Sequence, residues 1–157
     1  MIKNYLLPIL LIASIAASAA GMNIKITVRG LENSNMILAN YYGDKQYVKD
    51  TLVFDKKGML TIKADTMLPG GIYLAVFPLL GNRYFEFVVS EPSFSLETDT
   101  TDLSGHMRVT GSEENRLFYD DMRYLGVQRI ASDSLSKLYK TAKDGSEKEN
   151  LRNQLIR

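Results

Sequence analysis

The most apolar run after the N-terminus covers residues 69–78 and reads Pro-Gly-Gly-Ile-Tyr-Leu-Ala-Val-Phe-Pro. Proline and glycine close it at both ends, and it is too short and too rich in β-forming residues for a helix. Alternation places Ile72 and every second residue after it on one face, and Tyr73 and every second residue after it on the other. Because both faces are apolar, the run predicts a strand in the middle of a sheet, covered on both sides.

Seven shorter runs with a period of two surround this strand. In the first of them Ile24 and Val28 are expected to point inward, while in the third Val48 is expected to share a face with Phe54. Gly43 lies in a short loop between two runs, where a glycine readily adopts a positive φ angle. The seven predicted strands cover residues 23–29, 36–42, 46–55, 59–64, 83–90, 93–98 and 106–110.

This spacing of strands predicts the fold class. Eight short strands with turn residues between most of them are typical of a mainly β protein, an antiparallel β-sandwich or barrel. The sequence has no alternation of strands with helices and no internal repeat. We therefore expect one antiparallel β-domain over residues 21–111.

At Gly111 and Ser112 the apolar period changes from two to about 3.6. Ser112 is the predicted N-cap of a helical segment over residues 112–157. Gly126 weakens the helical pattern, and a last helix is expected to begin near Glu147. Three apolar stripes are predicted, made by Phe118, Met122 and Leu125, by Leu135, Leu138, Tyr139 and Ala142, and by Leu151, Leu155 and Ile156. Because no stop signal follows the last stripe, we expect this segment to be a truncated helical linker.

The first 20 residues have the pattern of a secretory signal peptide. Lys3 provides a positive start, residues 6–15 an apolar core, and residues 17–19 a small-residue cleavage site. The apolar core is shorter than a membrane-spanning helix requires. We expect the mature chain to begin near Ala20 or Gly21, to be exported, with the periplasm as the expected compartment, and to keep no stable membrane span.

Charge and cysteine content exclude several classes of function. The chain has 19 basic and 18 acidic residues in 157, and Lys3 is the only charged residue in the signal segment. With no large basic face, nucleic acid is not expected as a partner. The absence of cysteine excludes a disulfide framework, a thiolate zinc site and a thiol nucleophile in this chain.

Candidate catalytic and metal-binding residues are few. His106 is the single histidine, and strand alternation predicts that it lies on the solvated face. Glu97, Asp99 and Asp102 are close enough in sequence to suggest a calcium site, but their spacing does not match a calcium loop and Asp is a common turn former. We therefore expect no catalytic residue, no metal and no cofactor.

Tyrosines provide the remaining candidate site. Most aromatic residues of a β-domain pack in its core. Tyr42, Tyr47 and Tyr84 are the ones expected at the surface, where an aromatic group marks a possible binding patch for a protein or a small ligand.

Several stretches in a fixed order carry a family resemblance. Each is weak alone, but their joint order and spacing are more specific. They read YYGDKQYVKDT at residues 41–51, LPGGIYL at 68–74, YFE at 84–86, FSLETDTTD at 94–102 and GSEEN at 111–115. Together they resemble the N-terminal β-rich domain of unknown function that precedes a thioredoxin-like domain in secreted bacterial proteins. Those proteins are described as thiol–disulfide interchange or peroxiredoxin-like redox proteins.

The resemblance implies a function for a larger protein. In that family the redox-active Cys-x-x-Cys lies in the later thioredoxin-like domain, so no catalytic residue is carried over to this chain. The resemblance therefore implies a non-catalytic accessory module whose partner is a C-terminal thioredoxin-like domain. The residues alone leave two alternatives open: a free-standing binding module with exposed tyrosines, and a structural domain whose helices pair between copies.

Overall fold

The alternating segments form eight strands in the computed structural model of the protein, which describes residues 21–142 and 144–155. The predicted signal segment, Met1–Ala20, lies outside the described residues. The strands are β1 (Met22–Arg29), β2 (Asn35–Tyr42), β3 (Lys45–Val53), β4 (Met59–Ala64), β5 (Gly71–Phe77), β6 (Arg83–Val89), β7 (Ser93–Asp99) and β8 (Arg108–Thr110). Each predicted strand is present, with ends that differ by at most two residues.

The strands form two four-stranded sheets that enclose one core. The first sheet has the order β4-β1-β7-β8 and the second the order β3-β2-β5-β6. Strand β5 pairs with β2 on one side and with β6 on the other, so the most apolar run is an interior strand as predicted. The predicted mainly β fold with a C-terminal helical segment is confirmed as a β-sandwich.

One ladder is parallel. Strands β1 and β7 run in the same direction, with Ile24 opposite Phe94 and Ile26 opposite Leu96. The other ladders are antiparallel. The antiparallel arrangement expected from the sequence is therefore wrong for this one pair. Apolar alternation has the same period in both kinds of ladder, so it does not reveal strand direction.

The core lies between the sheets and is rich in aromatic side chains. Ile24, Ile26 and Val28 are fully buried, as their alternation predicts. In β5 the face that begins with Tyr73 points into the core, whereas Ile72 at the start of the other face is 42% exposed. The aromatic rings in contact here include Phe54 with Phe77, Phe77 with Phe85, Phe85 with Phe87, and Phe87 with Phe94.

A β-bulge in strand β3 corrects one prediction. Leu38 of β2 lies opposite Asp50, but the next residue, Ala39, lies opposite Val48, so Lys49 is an extra residue without a partner. An extra residue reverses the faces on one side of the bulge. Val48 is therefore 70% exposed and does not share the face of Phe54, which is buried.

The helical segment forms two helices, α1 (Glu113–Thr141) and α2 (Gly145–Leu155). The Ser112 hydroxyl accepts a hydrogen bond from the Asn115 amide, so the predicted N-cap is confirmed. Helix α1 continues through Gly126. The first two predicted apolar stripes therefore belong to one long helix, although Gly126 suggested a weak point between them. Helix α2 packs against α1. Ile156 of the predicted third stripe lies outside the described residues.

The face of α1 that packs on the sandwich contains only the first residue of the predicted apolar stripe, Phe118, which is partly buried against the core. Asn115 and Tyr119, one turn apart, are fully buried, whereas Met122 is 40% and Leu125 56% exposed. The packed face lies against an edge of a sheet, which needs hydrogen-bonding groups as well as apolar ones. None of the described helices is both long and apolar enough to cross a membrane.

Candidate functional site

Tyr42 and Tyr47 form an exposed aromatic pair on the β2–β3 hairpin. Their ring centroids are 6.4 Å apart at an interplanar angle of 76°, an edge-to-face arrangement. Tyr42 is 77% and Tyr47 47% exposed. Gly43 has a φ angle of 63° in the two-residue turn between the strands, and this turn brings both rings to the same end of the sheet.

An open cleft of about 440 Å³ lies beside the pair. Asn40, Tyr42, Tyr47, Val48 and Lys49 line it. The Asn40 side-chain amide donates to the Tyr41 carbonyl at 3.0 Å, which defines its orientation. Its Oδ1 atom is buried and accepts no hydrogen bond from any described residue. Two aromatic rings, one amide and one lysine give this cleft the mixed apolar and polar character of a weak binding surface.

Tyr84 is half exposed but does not join this pair. It lies opposite Val76 on the face of the second sheet that points away from the core, whereas the face of Tyr42 and Tyr47 is shared by the core residue Leu38. The structure therefore divides the three predicted patch residues between two faces of one sheet. Tyr84 borders a separate surface cleft of about 330 Å³.

A hydrogen-bond network crosses the outer face of the second sheet. The Tyr41 hydroxyl donates to Glu86 Oε1 at 2.9 Å and accepts from Gln46 Nε2 at 3.1 Å. The bond to the Glu86 carboxylate raises the pKa of the Tyr41 phenol. These residues come from three strands, so their meeting has no signal in the sequence. Because the phenol is neutral and its hydrogen bonds join three strands, we assign the network a structural role.

His106 lies in the turn before β8, where the sequence pattern predicts a strand residue. Its Nδ1 atom is 2.9 Å from Asp99 Oδ2 and 3.3 Å from the Thr101 hydroxyl. The Thr101 hydroxyl itself donates to Asp99, and this bond contributes most to holding the pKa of Asp99 far below its usual value. Carboxylate and hydroxyl both face the same imidazole nitrogen. In a catalytic triad they face opposite nitrogens, so this cluster lacks the geometry of nucleophilic catalysis.

The acidic residues near His106 already have partners, in hydrogen bonds of the turn and in a surface ion pair. Asp99 Oδ1 accepts from the Thr101 amide at 2.9 Å, and Asp102 Oδ1 accepts from the Gly105 amide at 2.9 Å. Glu97 pairs with Arg29 at 2.8 Å. Within residues 21–142 and 144–155, no group of three or more His, Asp or Glu residues is arranged to hold a metal ion. The three carboxylates thus do what turn formers and surface ion pairs ordinarily do.

A larger cleft beside His106 was not predicted. It has a volume of about 550 Å³ and is bordered by three arginines, Arg29, Arg108 and Arg123. Arg29 is paired with Glu97, and Arg123 donates to Asp120 and to the Met107 carbonyl. The arginines come from β1, β8 and α1, so no local motif indicates their proximity.

Comparison with known proteins identifies the family. The family described as "Domain of unknown function (DUF4369)" matches residues 22–118. No curated protein matches the chain. Among solved structures, the membrane-binding domain of pneumolysin is 12% identical, with 60% of this chain and 98% of that chain covered; its TM-score of 0.24 supports no conclusion.

The matched segment covers more than half of the chain. It contains all eight strands and the first turns of α1. The protein therefore belongs to the family of the domain of unknown function DUF4369.

Proposed function

We propose that this chain is the non-catalytic N-terminal accessory module of an exported thioredoxin-like thiol–disulfide oxidoreductase. In this proposal the redox-active cysteines belong to a C-terminal thioredoxin-like domain of the full-length protein. The ordered motifs that resemble the modules of secreted redox proteins support the proposal, and they lie within the residues that the family of unknown function matches. The signal pattern of Met1–Ala20 supports export and a periplasmic location.

The observation that carries the proposal is the exposed apolar surface of α1. The helix has 29 residues, about 43 Å, and its buried residues are Asn115 and Tyr119 in its first two turns. Further along, Val127 and Ile130, three residues apart on one side of the helix, are 65% and 69% exposed. Large apolar side chains exposed together on one element are a mark of an interaction surface. An adjoining domain of the same protein is the partner that the proposal assigns to them.

The chemistry of the chain agrees with a positioning role. Thiol–disulfide exchange requires a thiolate, and the sequence contains no cysteine. The His106 cluster has no nucleophile at its second imidazole nitrogen among the described residues. The chain on its own is therefore expected to show no dithiol-dependent reduction of insulin above background, and a clear rate would contradict the proposal.

The deciding experiment is the intact mass of the protein as its native cell makes it. A mass far above that of this chain, with an N-terminus near Ala20 or Gly21, is the expected result. A mass that matches residues from about 20 to 157 would remove the redox assignment. Cell fractionation on the same sample tests the periplasmic location.

A second candidate function is a free-standing binding module. The observation that favours it is the exposed pair of Tyr42 and Tyr47 beside the open cleft. Tyr42→Ala combined with Tyr47→Ala should abolish binding of a protein or small ligand while the circular dichroism spectrum remains that of the wild type. Tyr84→Ala, on the opposite face, is the matched control and should leave that binding unchanged.

A further inference from the structure

The outer edge of β3 is the longest exposed strand edge of the sandwich. The strand has nine residues, and all of them except Leu52 are exposed. Tyr47, Val48 and Val53 are 47%, 70% and 62% exposed, and no described strand pairs with this edge. The Thr51 amide donates to Asp50 Oδ1 at 2.7 Å, a bond within the strand itself. An edge of this kind is a template for another strand.

The bulge at Lys49 determines which side chains share a face. Before the bulge, Tyr47 faces the core side of the sheet and Val48 the outer side, because they lie opposite Asn40 and Ala39. After the bulge, Leu52 faces the core side and Thr51 the outer side. The core-side residues of β3 are therefore odd-numbered before the bulge and even-numbered after it.

We propose that two copies of this chain associate through antiparallel pairing of their β3 strands, with Lys49 of each copy opposite Asp50 of the other. A twofold axis perpendicular to the sheet keeps each face on its own side, so paired residues must share a face. In this register Tyr47 lies opposite Leu52 of the second copy, both on the core side. Val48 lies opposite Thr51 of the second copy, both on the outer side.

Charge and shape select this register over its neighbours. Asp50 lies opposite Leu38 and therefore on the core side, and the proposal places the side chain of the bulge residue Lys49 on that side as well. The two Lys49–Asp50 contacts are then equivalent by symmetry, and opposite charges directly across a strand pair are stabilising. The aromatic–aliphatic and β-branched pairs beside them are also favourable. A shift by two residues places Lys49 opposite Val48 or Leu52 of the second copy and leaves both charges without a partner. Lysine and a bulge on an edge strand discourage pairing with strands of unrelated sequence. In the proposed register the same two features make the edge complementary to a second copy of itself.

This inference goes beyond the accessory role and does not depend on a redox domain. It assigns a second copy of the chain to the β3 edge, whereas the proposed function assigns a following domain to α1. The native mass per polypeptide tests one proposal, and the number of polypeptides per particle tests the other. The two measurements therefore distinguish failure of the accessory role from failure of the β3 pairing.

The absence of cysteine allows a direct test of the register by disulfide cross-linking. The variant with Val48→Cys and Thr51→Cys places cysteines at positions whose Cα atoms lie about 4.5–5.5 Å apart across the proposed strand pair. This separation is within the range of a disulfide. Under mild oxidation the variant should form covalent dimers on a non-reducing gel.

The matched control combines Val48→Cys with Val53→Cys. Those residues share the outer face but lie two positions out of register, about 7–8 Å apart on the diagonal. This variant should cross-link far more slowly than the first. Equal rates for the two variants, or no cross-link in the first, would overturn the proposed register.

Charge reversal tests the contact itself by analytical ultracentrifugation. Lys49→Asp or Asp50→Lys places like charges across both symmetric contacts and should raise the dimer dissociation constant at least about tenfold. The double variant K49D/D50K restores opposite charges and should return to the wild-type dimer. Lys25→Asp on β1 is a matched control that should leave the dimer intact.

Two outcomes would overturn the proposal. One is a wild-type chain that sediments as a monomer at every concentration, which would leave the β3 edge for an extended peptide of another protein. The other is a folded K49D/D50K variant that stays monomeric. If a single variant misfolds by circular dichroism, the cross-linking pair still decides the question, because it changes neither charge.

Discussion

The two edges of the second sheet are protected in different ways. At the β6 edge, the Asn115 side chain accepts from the Val88 amide at 2.8 Å and donates to the Val88 carbonyl at 2.7 Å. The Tyr119 hydroxyl donates to the Glu86 carbonyl. Two side chains of a helix thus take the place of a neighbouring strand. At the β3 edge, Asp50 bonds the next amide in its own strand and the bulge interrupts the regular ladder.

The difference shows what the beginning of α1 does. Its first two turns complete the sandwich, since they cover backbone groups of β6 that burial would otherwise leave unpaired. The family match ends at Phe118, within the same two turns. The β3 edge needs no such cover in the single chain, because water can bond its backbone groups. A change at the β6 edge should therefore affect folding, whereas a change at the β3 edge should affect association.

Tyr119→Ala should have the largest effect on stability. The side chain is fully buried, and its removal leaves a cavity and an unpaired Glu86 carbonyl. We expect a loss of about 3–5 kcal/mol in the free energy of unfolding, measured by urea denaturation. Tyr124→Ala on the same helix, where Tyr124 is 62% exposed, is the control and should change little. Equal losses for both variants would contradict the packing described here.

Asn115→Ala should come next. It removes both bonds to Val88 and leaves buried backbone groups without partners, which costs about 2–4 kcal/mol. Asn150→Ala on the exposed surface of α2 makes the same chemical change and should cost less than about 0.5 kcal/mol. Hydrogen exchange of the Val88 amide sharpens the test. That amide should become faster to exchange in Asn115→Ala and stay protected in Asn150→Ala.

Glu91 should make the stability of this edge depend on pH. Burial by itself raises the pKa of Glu91, but bonds from the Ser112 and Ser90 hydroxyls and from the first amides of α1 outweigh it, so the pKa is lowered. A lowered native pKa means that the stabilisation is complete above the unfolded-state value and is lost as pH falls through the native value.

The measurement is the difference in unfolding free energy between wild type and Glu91→Gln. It should be constant near neutral pH and shrink below about pH 4, where the unfolded carboxyl takes up its proton. Ser112→Ala removes the first of the bonds and should reduce this pH-dependent difference. It should also cost about 1 kcal/mol at neutral pH through the lost N-cap. A difference that does not change with pH would contradict the role of Glu91.

Val48→Ala should have the smallest effect on the monomer. Val48 is 70% exposed on the β3 edge, so its truncation should change the unfolding free energy by less than about 0.5 kcal/mol. Val89→Ala makes the same change on β6, where the side chain is 1% exposed, and should cost about 2 kcal/mol. The comparison should be made at a low protein concentration to separate folding from association. A large effect at Val48 would mean that this edge is not open in the monomer.

Much of the fold follows from local patterns in the sequence. Ile24, Ile26 and Val28 alternate and are buried, the run around Tyr73 is an interior strand, and Ser112 caps the helix. These features depend on periodicity and on backbone chemistry within a few residues, which the sequence displays directly.

The candidate site was less predictable. The surface exposure of Tyr42, Tyr47 and Tyr84 follows from their positions in short strands, but their distribution over two faces depends on how β2, β5 and β6 pair. The cleft bordered by Arg29 and Arg123 unites distant parts of the chain. A contact between distant residues has no local pattern, so only the folded chain reveals it.

The sequence by itself therefore determined eight strands, the position of the most apolar one, the start of α1 and the absence of cysteine from these 157 residues. The tertiary structure decided the parallel pairing of β1 with β7, the exposure of Val48 at the bulge and the use of Asn115 to cover β6. The physical reason is the range of the interactions. Apolar alternation and capping act within one turn or one strand, whereas strand direction, face and edge protection depend on which distant segments meet.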